Sequence, residues 1–156
     1  MGFLQWLEAS AFAEWIQTSF VGYPVVITMH SIGMAIMVGL VLVLNLRLVG
    51  MFSRIPYAAL SKLLGVAWVG FVINFLSGAA LFIAQASVFA TQASFIVKFL
   101  AVVIGASLAG YMQPILNRDA AAWGTGAVPS NVRGLAMASL FVWILAILAG
   151  RFTAYI

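Results

Sequence analysis

Cysteine is absent from this sequence, histidine occurs once, and aspartate and glutamate together occur three times. Without cysteine the chain cannot form a disulfide bond or hold a metal ion or an iron–sulfur cluster through thiolates. Hydrolytic mechanisms need an acid or a nucleophile paired with a base, and so few titratable residues supply few pairs. The sequence therefore favours a subunit over an enzyme that acts on its own.

Charge is scarce as well: 6% of the residues are charged, compared with roughly 25% in soluble globular domains. Hydrophobic residues make up 65% of the chain, and the mean hydropathy is +1.18. This composition predicts a lipid bilayer as the solvent, with room for about four crossings of ~20 residues each. The seven basic residues are spread singly, so no basic patch is offered to a nucleic acid.

Long uncharged stretches predict an all-α integral membrane protein, a four-transmembrane-helix bundle that forms a single membrane domain over residues 1–156. The expected spans are about 24–49, 63–86, 93–113 and 134–150. Pro24 suits the first turn of the first span, and Gly50 suits its end. Pro114 is expected to end the third span, because proline interrupts a helix interior.

A short interfacial helix over residues 3–19 is expected before the first span. It carries Glu8 and Glu14 and has no basic start, which distinguishes it from a signal peptide. Aromatic side chains would anchor this helix and the start of the first span at the outer membrane surface. They are Phe3, Trp6, Phe12, Trp15, Phe20 and Tyr23.

The distribution of basic residues predicts the orientation of the bundle. The first and third connections, with their edges, carry five of them: Arg47, Arg54, Lys62, Arg118 and Arg133. Only Lys98 and Arg151 lie towards the opposite side. Because basic residues are retained on the cytoplasmic side, both termini are expected outside the cytoplasm.

His30 is the leading candidate for a functional residue, since it is expected roughly 10 Å below the outer surface and ionisable residues inside membranes are usually functional. Gly33, Met34 and Met37 share its helix face. A neutral imidazole could ligate the iron of haem b, with Gly33 letting the macrocycle approach the helix. His30, Met34 and Met37 could instead hold Cu(I), which prefers soft ligands. Alternatively, His30 bonds across the bundle to a serine, threonine or asparagine while the methionines fill gaps.

Lys98 is expected on the same outer side as His30 and at nearly the same depth. Its ammonium group could extend to the membrane surface. It could also pair with a haem propionate, a quinone oxygen, Glu8 or Glu14. Together with His30, Gly33 and Met34, it completes the predicted cofactor-binding set.

Small residues recur at every fourth position of two spans, which permits close helix packing within the bundle or between subunits. They are Gly70, Asn74 and Gly78 in the second span, and Ala101, Gly105 and Ala109 in the third. Asn74 is also expected to form an interhelical hydrogen bond. Asn45 and Arg47 are expected to cap and anchor the inner end of the first span.

Several motifs together resemble an uncharacterised bacterial family of small four-helix membrane proteins, a domain-of-unknown-function group. The similarity covers roughly residues 23–113 and is carried by His30-Ser31-Ile32-Gly33 with Gly39, Asn45-Leu46-Arg47-Leu48-Val49-Gly50, Ser77-Gly78-Ala79-Ala80-Leu81-Phe82, Phe95 and Lys98. The family usually has aspartate at the position of Asn45, so this chain lacks a charge beside Arg47. The resemblance implies a protein of the bacterial inner membrane, so the termini expected outside the cytoplasm would lie in the periplasm.

The architecture is also similar to copper-resistance membrane proteins and b561-type cytochromes, which use several histidines on different helices. This chain has one histidine, which leaves His/Met ligation, a five-coordinate haem, or a haem shared by two subunits. The main functional hypothesis is a haem- or quinone-associated electron-transfer subunit that works with a periplasmic partner. The alternatives are a non-catalytic membrane anchor or assembly subunit, and copper handling. A homo-oligomer or a larger complex is expected in each case.

Overall fold

The computed structural model describes residues 2–153 and residue 155, and it confirms the predicted fold class. Helices account for 86% of the chain, and the described residues form no strand. Seven helices follow one another along the chain: α1 (Phe3–Glu8), α2 (Ala11–Thr18), α3 (Gly22–Val49), α4 (Tyr57–Ala84), α5 (Ala86–Thr91), α6 (Ala93–Trp123) and α7 (Ser130–Thr153). The four long helices are each long and apolar enough to cross a membrane.

The four long helices form a closed bundle in which each helix packs against the next along the chain, and α7 returns to α3. At one end, which we call the terminal end, Gln92 Nε2 donates to Thr153 O at 3.2 Å, so the start of α6 meets the end of α7. At the other, the loop end, Tyr57 N donates to Gly124 O at 3.1 Å and joins the two connections that carry most of the basic residues. These two connections therefore lie on the same side, as the sequence predicts.

Glycines allow the helices of the bundle to approach closely. A Cβ atom added to Gly33 would lie 2.5 Å from Asn74 N, and one added to Gly105 would lie 2.8 Å from Trp143 Cε2. Ala101 and Ala109, which flank Gly105 along α6, are also buried. The predicted close packing of the small residues in the third span is confirmed, and the partner is α7.

The segment expected as one interfacial helix consists of two, α1 and α2. Ser10 separates them, because its Oγ donates to Leu7 O at 2.7 Å and accepts from Ala13 N at 3.2 Å, which ends one helix and starts the next. In α2, Ala13 and Ile16 are fully buried against the terminal end of the bundle. The predicted aromatic anchors are all exposed on the surface, from 41% for Trp15 to 96% for Phe20.

A carboxylate fastens α1 to the short helix α5. Glu8 accepts hydrogen bonds from Ser87 Oγ at 2.7 Å and from Ser87 N at 2.9 Å. These bonds, led by the one from the hydroxyl, hold the pKa of Glu8 below its ordinary value.

The prediction that the third helix ends at Pro114 is wrong, because α6 continues to Trp123. Proline deprives the Gly110 carbonyl of its helical donor, but packing by neighbouring helices makes this loss tolerable in membrane bundles. Here Gln113 Oε1 accepts from Trp68 Nε1 of α4 at 2.6 Å. Buried residues before and after the proline, Met112 and Leu116, also hold α6 in the core.

Arg47 joins the two connections of the loop end and is only 2% exposed. Its guanidinium donates to Ile55 O at 2.7 Å, to Tyr57 Oη at 2.7 Å and to Thr125 O at 3.0 Å. The predicted anchoring role of Arg47 is confirmed, although the side chain lies in the protein interior rather than at the surface.

Candidate functional site

His30 is held by α4 in one orientation. Its Nδ1 lies 3.0 Å from Asn74 O and 3.2 Å from Ser77 Oγ, while Asn74 Nδ2 donates to His30 O at 2.8 Å. A carbonyl oxygen only accepts hydrogen bonds, so we assign the proton of the neutral ring to Nδ1 and the lone pair to Nε2. The close approach of the ring to α4 requires Gly78, because a Cβ there would lie 3.0 Å from His30 Cε1.

Three polar groups in this region, one of them on His30 itself, have no hydrogen-bond partner among the described residues. Every bond of the His30 ring involves Nδ1, so Nε2 is unpaired. The ammonium group of Lys98 takes part in no hydrogen bond or ion pair within the part of the chain that the structure describes. The indole N–H of Trp143 is buried and also unpaired. Leaving a buried donor such as this indole N–H unsatisfied in an apolar interior is costly, which indicates a missing polar partner.

The three side chains line a single cavity in the half of the bundle nearer the terminal end. Its volume of about 20 Å³ is sufficient for about one water molecule. The remaining lining consists of Asn74 from α4 and of apolar residues from α3, α6 and α7: Met34, Val38, Val102, Ala146 and Ile147.

The cavity assembles three of the four predicted cofactor-binding residues, namely His30, Met34 and Lys98. Gly33 is elsewhere, because the backbone of α4 occupies the space beside it. It therefore serves helix packing and leaves no room for a macrocycle to approach. Met37, the third residue of the predicted metal set, is 2% exposed in the hydrophobic core and does not line the cavity.

A haem group does not fit inside this cavity. Pockets that enclose organic ligands have volumes of roughly 300–1,000 Å³, far above that of this cavity. For Cu(I), the cavity brings together only His30 and Met34 of the predicted ligands, and the Lys98 ammonium would repel a cation. Within the described residues, no three histidine or acidic side chains form a group suited to a metal ion.

Trp143 is the functional candidate that sequence reasoning missed. It lies ten residues before the end of α7 at Thr153, or about 15 Å along the helix. Tryptophans of membrane proteins concentrate at the two interfaces, so a tryptophan at this depth is a signal that could have indicated an interior role.

The sequence matches no family model, and neither a curated protein nor a solved structure is similar to it. The resemblance to a four-helix bacterial family thus stays a prediction.

Proposed function

We propose that this protein is a quinone-associated electron-transfer subunit, whose outer-half cavity receives one carbonyl oxygen of a lipid-soluble quinone. The observation that carries the proposal is that His30, Lys98 and Trp143, three side chains that each bear a polar group unpaired among the described residues, line one cavity of a membrane bundle. Two of these groups, the ammonium and the indole N–H, donate hydrogen bonds and accept none.

The chemistry of these groups selects the ligand. An ammonium and an indole N–H are both hydrogen-bond donors and need an acceptor. A carbonyl oxygen has two lone pairs and can accept one hydrogen bond from each of them. The neutral imidazole of His30, oriented by its bond to Asn74, offers Nε2 as an acceptor for the hydroxyl proton of a quinol. The same site therefore suits both the oxidised and the reduced form of the ligand.

The size of the cavity limits how much of the ligand it holds. A volume of about 20 Å³ admits an oxygen atom but not a ring, so the ring and its tail stay among the apolar side chains on the bilayer side. A ligand of this kind must dissolve in the membrane. We place the protein in the bacterial inner membrane with periplasmic termini, on the excess of basic residues at the loop end, so the site would face a periplasmic redox partner.

Calorimetric titration of the protein in lipid nanodiscs with a decyl-tailed benzoquinone tests the proposal. We expect saturable binding with one ligand per chain. His30→Ala and Lys98→Met should each weaken it about tenfold, the loss of roughly 1.4 kcal/mol that accompanies one charged or buried hydrogen bond. Lys62→Met, which removes an exposed charge near the loop end, is the matched control and should bind like the parent.

Two results would reject the quinone. Absence of saturable binding, or equal binding by all variants, would show that the cavity is not the site. Decanoate serves as a competing acceptor of similar tail length, and binding of decanoate without binding of the quinone would identify a fatty-acid site instead.

A non-catalytic anchor or assembly subunit is the second candidate, and the hydrogen bonds of His30 to α4 favour it. If His30 only joins α3 to α4, then His30→Ala should lower the melting temperature, while Lys98→Met should change neither stability nor ligand binding. An absorbance spectrum of protein from its native membrane distinguishes the remaining possibility. A Soret band that disappears in His30→Ala would indicate a haem shared between two copies.

A further inference from the structure

One wall of the cavity separates it from the bilayer, and this wall consists of Met34 on α3 and Ile147 on α7. Both residues line the cavity, and both are 38% exposed on the surface. Of the other lining residues, Val38, Trp143 and Ala146 are each less than 10% exposed, and His30, Asn74, Lys98 and Val102 are half-buried. Residues that contact the cavity and the exterior at once mark its thinnest side.

The two wall residues lie at similar heights on neighbouring helices. Met34 is 15 residues from the loop end of α3 at Val49, and Ile147 is 17 residues from the loop end of α7 at Ser130. These separations correspond to about 22 and 26 Å along the helices. The two side chains therefore line the cavity at similar levels of the neighbouring helices α3 and α7.

Among the described residues, the junction of α3 and α7 has no side-chain hydrogen bond at this level, unlike the junction of α3 and α4. Its hydrogen bond, from Asn45 Nδ2 to Ser139 Oγ at 2.8 Å, lies nearer the loop end. By contrast, His30 and Asn74 join α3 to α4 at the level of the cavity. The helices α1 and α2 pack against α3, α4 and α5, and they leave the side formed by α6 and α7 uncovered.

We infer that the carbonyl oxygen of the quinone enters the cavity sideways from the bilayer, through a portal between α3 and α7 that Met34 and Ile147 close. This inference rests on the proposed function and adds the route of the ligand. Methionine is unbranched and has three rotatable side-chain bonds, so rotation of Met34 can open the portal without moving a helix. The bonds that orient His30 are made to Asn74 and Ser77 of α4 and do not involve Met34.

The absence of cysteine makes the portal testable by chemical modification. Single variants Met34→Cys and Ile147→Cys are modified with N-phenylmaleimide in nanodiscs. Ala35→Cys and Leu148→Cys are matched controls, because each is one residue away, exposed, and absent from the cavity lining. Rapid mixing with the decyl-tailed benzoquinone, followed through quenching of tryptophan fluorescence, gives the association rate, and calorimetry gives the affinity.

The adducts at positions 34 and 147 should slow association at least tenfold relative to the unmodified variants, while those at 35 and 148 should change it less than twofold. If the unmodified variants bind and none of the four adducts slows association, or all four slow it equally, the lateral route is wrong while the proposed function stands. If the unmodified parent shows no saturable binding, the proposed function fails, and the inference fails with it.

Discussion

Gly33 and Gly39 lie on the same helix, and alanine substitution should affect stability in opposite directions at the two positions. At Gly33 the added Cβ would lie 2.5 Å from Asn74 N and 2.8 Å from Gly70 O. Both atoms belong to the backbone of α4, so no side-chain rotation relieves the clash. Helices α3 and α4 must separate. At Gly39 the added Cβ meets nothing within 4 Å.

The magnitudes follow from these contacts. In Gly33→Ala, overpacking of a well-packed interior lowers the free energy of unfolding by about 1–3 kcal/mol. The better helix propensity of alanine raises it by up to about 1 kcal/mol. Gly39→Ala gains only the propensity and should be stabilising by about 0.5–1 kcal/mol. The difference between the variants isolates the cost of separation, about 1–3 kcal/mol, or roughly 2–12 °C in melting temperature for a chain of this size.

Thermal unfolding of the parent and the two variants in the same lipid nanodiscs, followed by circular dichroism, measures this difference. Gly39→Ala is expected to have the highest melting temperature, the parent an intermediate one, and Gly33→Ala the lowest. If Gly33→Ala melts at or above Gly39→Ala, then Gly33 does not support close packing of α3 on α4, and the space beside it must be reconsidered as a ligand site.

Three further outcomes are expected. A phosphatase reporter fused to the C-terminus should be active, and one inserted at Gly124 inactive, because the excess of basic residues predicts that the loop end lies in the cytoplasm. Arg47→Lys should lower the free energy of unfolding by about 2–4 kcal/mol, since one ammonium cannot replace a fork that donates to three carbonyls and a phenol. The Ser87 amide resonance should titrate with Glu8 at a midpoint below 4.5, because the carboxylate bond exists above the folded-state pKa and is lost as pH falls through it.

Each of these outcomes has its own control or contrary result. Activity of the reporter in the loop, with an inactive C-terminal fusion, would reverse the orientation. Arg118→Lys alters an exposed ion pair with Asp119 and should cost less than about 1 kcal/mol, so an equal loss in both arginine variants would refute the special role of Arg47. A midpoint for Ser87 at or above 4.5, or no titration at all, would contradict the bond to Glu8.

The fold class followed from the sequence because it depends on local properties. Apolar length determines whether a helix can cross a membrane, and in lipid the helix must satisfy its own backbone hydrogen bonds. The spacing of Ala101, Gly105 and Ala109 predicted close packing for the same reason, since residues four apart share a helix face whatever the partner. The hydrogen bond of Asn74 was likewise predicted, although its partner was not.

The sequence did not predict which side of each long helix faces the interior of the bundle. The long helices are apolar on most sides and show no polar stripe to mark the exterior. Gly33 and Met37 share a face with His30 in the sequence pattern, yet packing turns both into helix contacts and leaves Met34 at the cavity. Pro114 illustrates the same limit: its local preference to end a helix is overridden by contacts of α6 with α4.

The sequence by itself determined the solvent, the helical class and the small set of residues able to carry chemistry, because composition and spacing are properties of the chain. Only the tertiary structure decided that His30, Lys98 and Trp143 share a cavity, since they come from three helices whose rotations are set by packing. It also decided that Nε2 is the free atom of His30. That choice depends on a carbonyl 44 residues away in the chain, which no local pattern encodes.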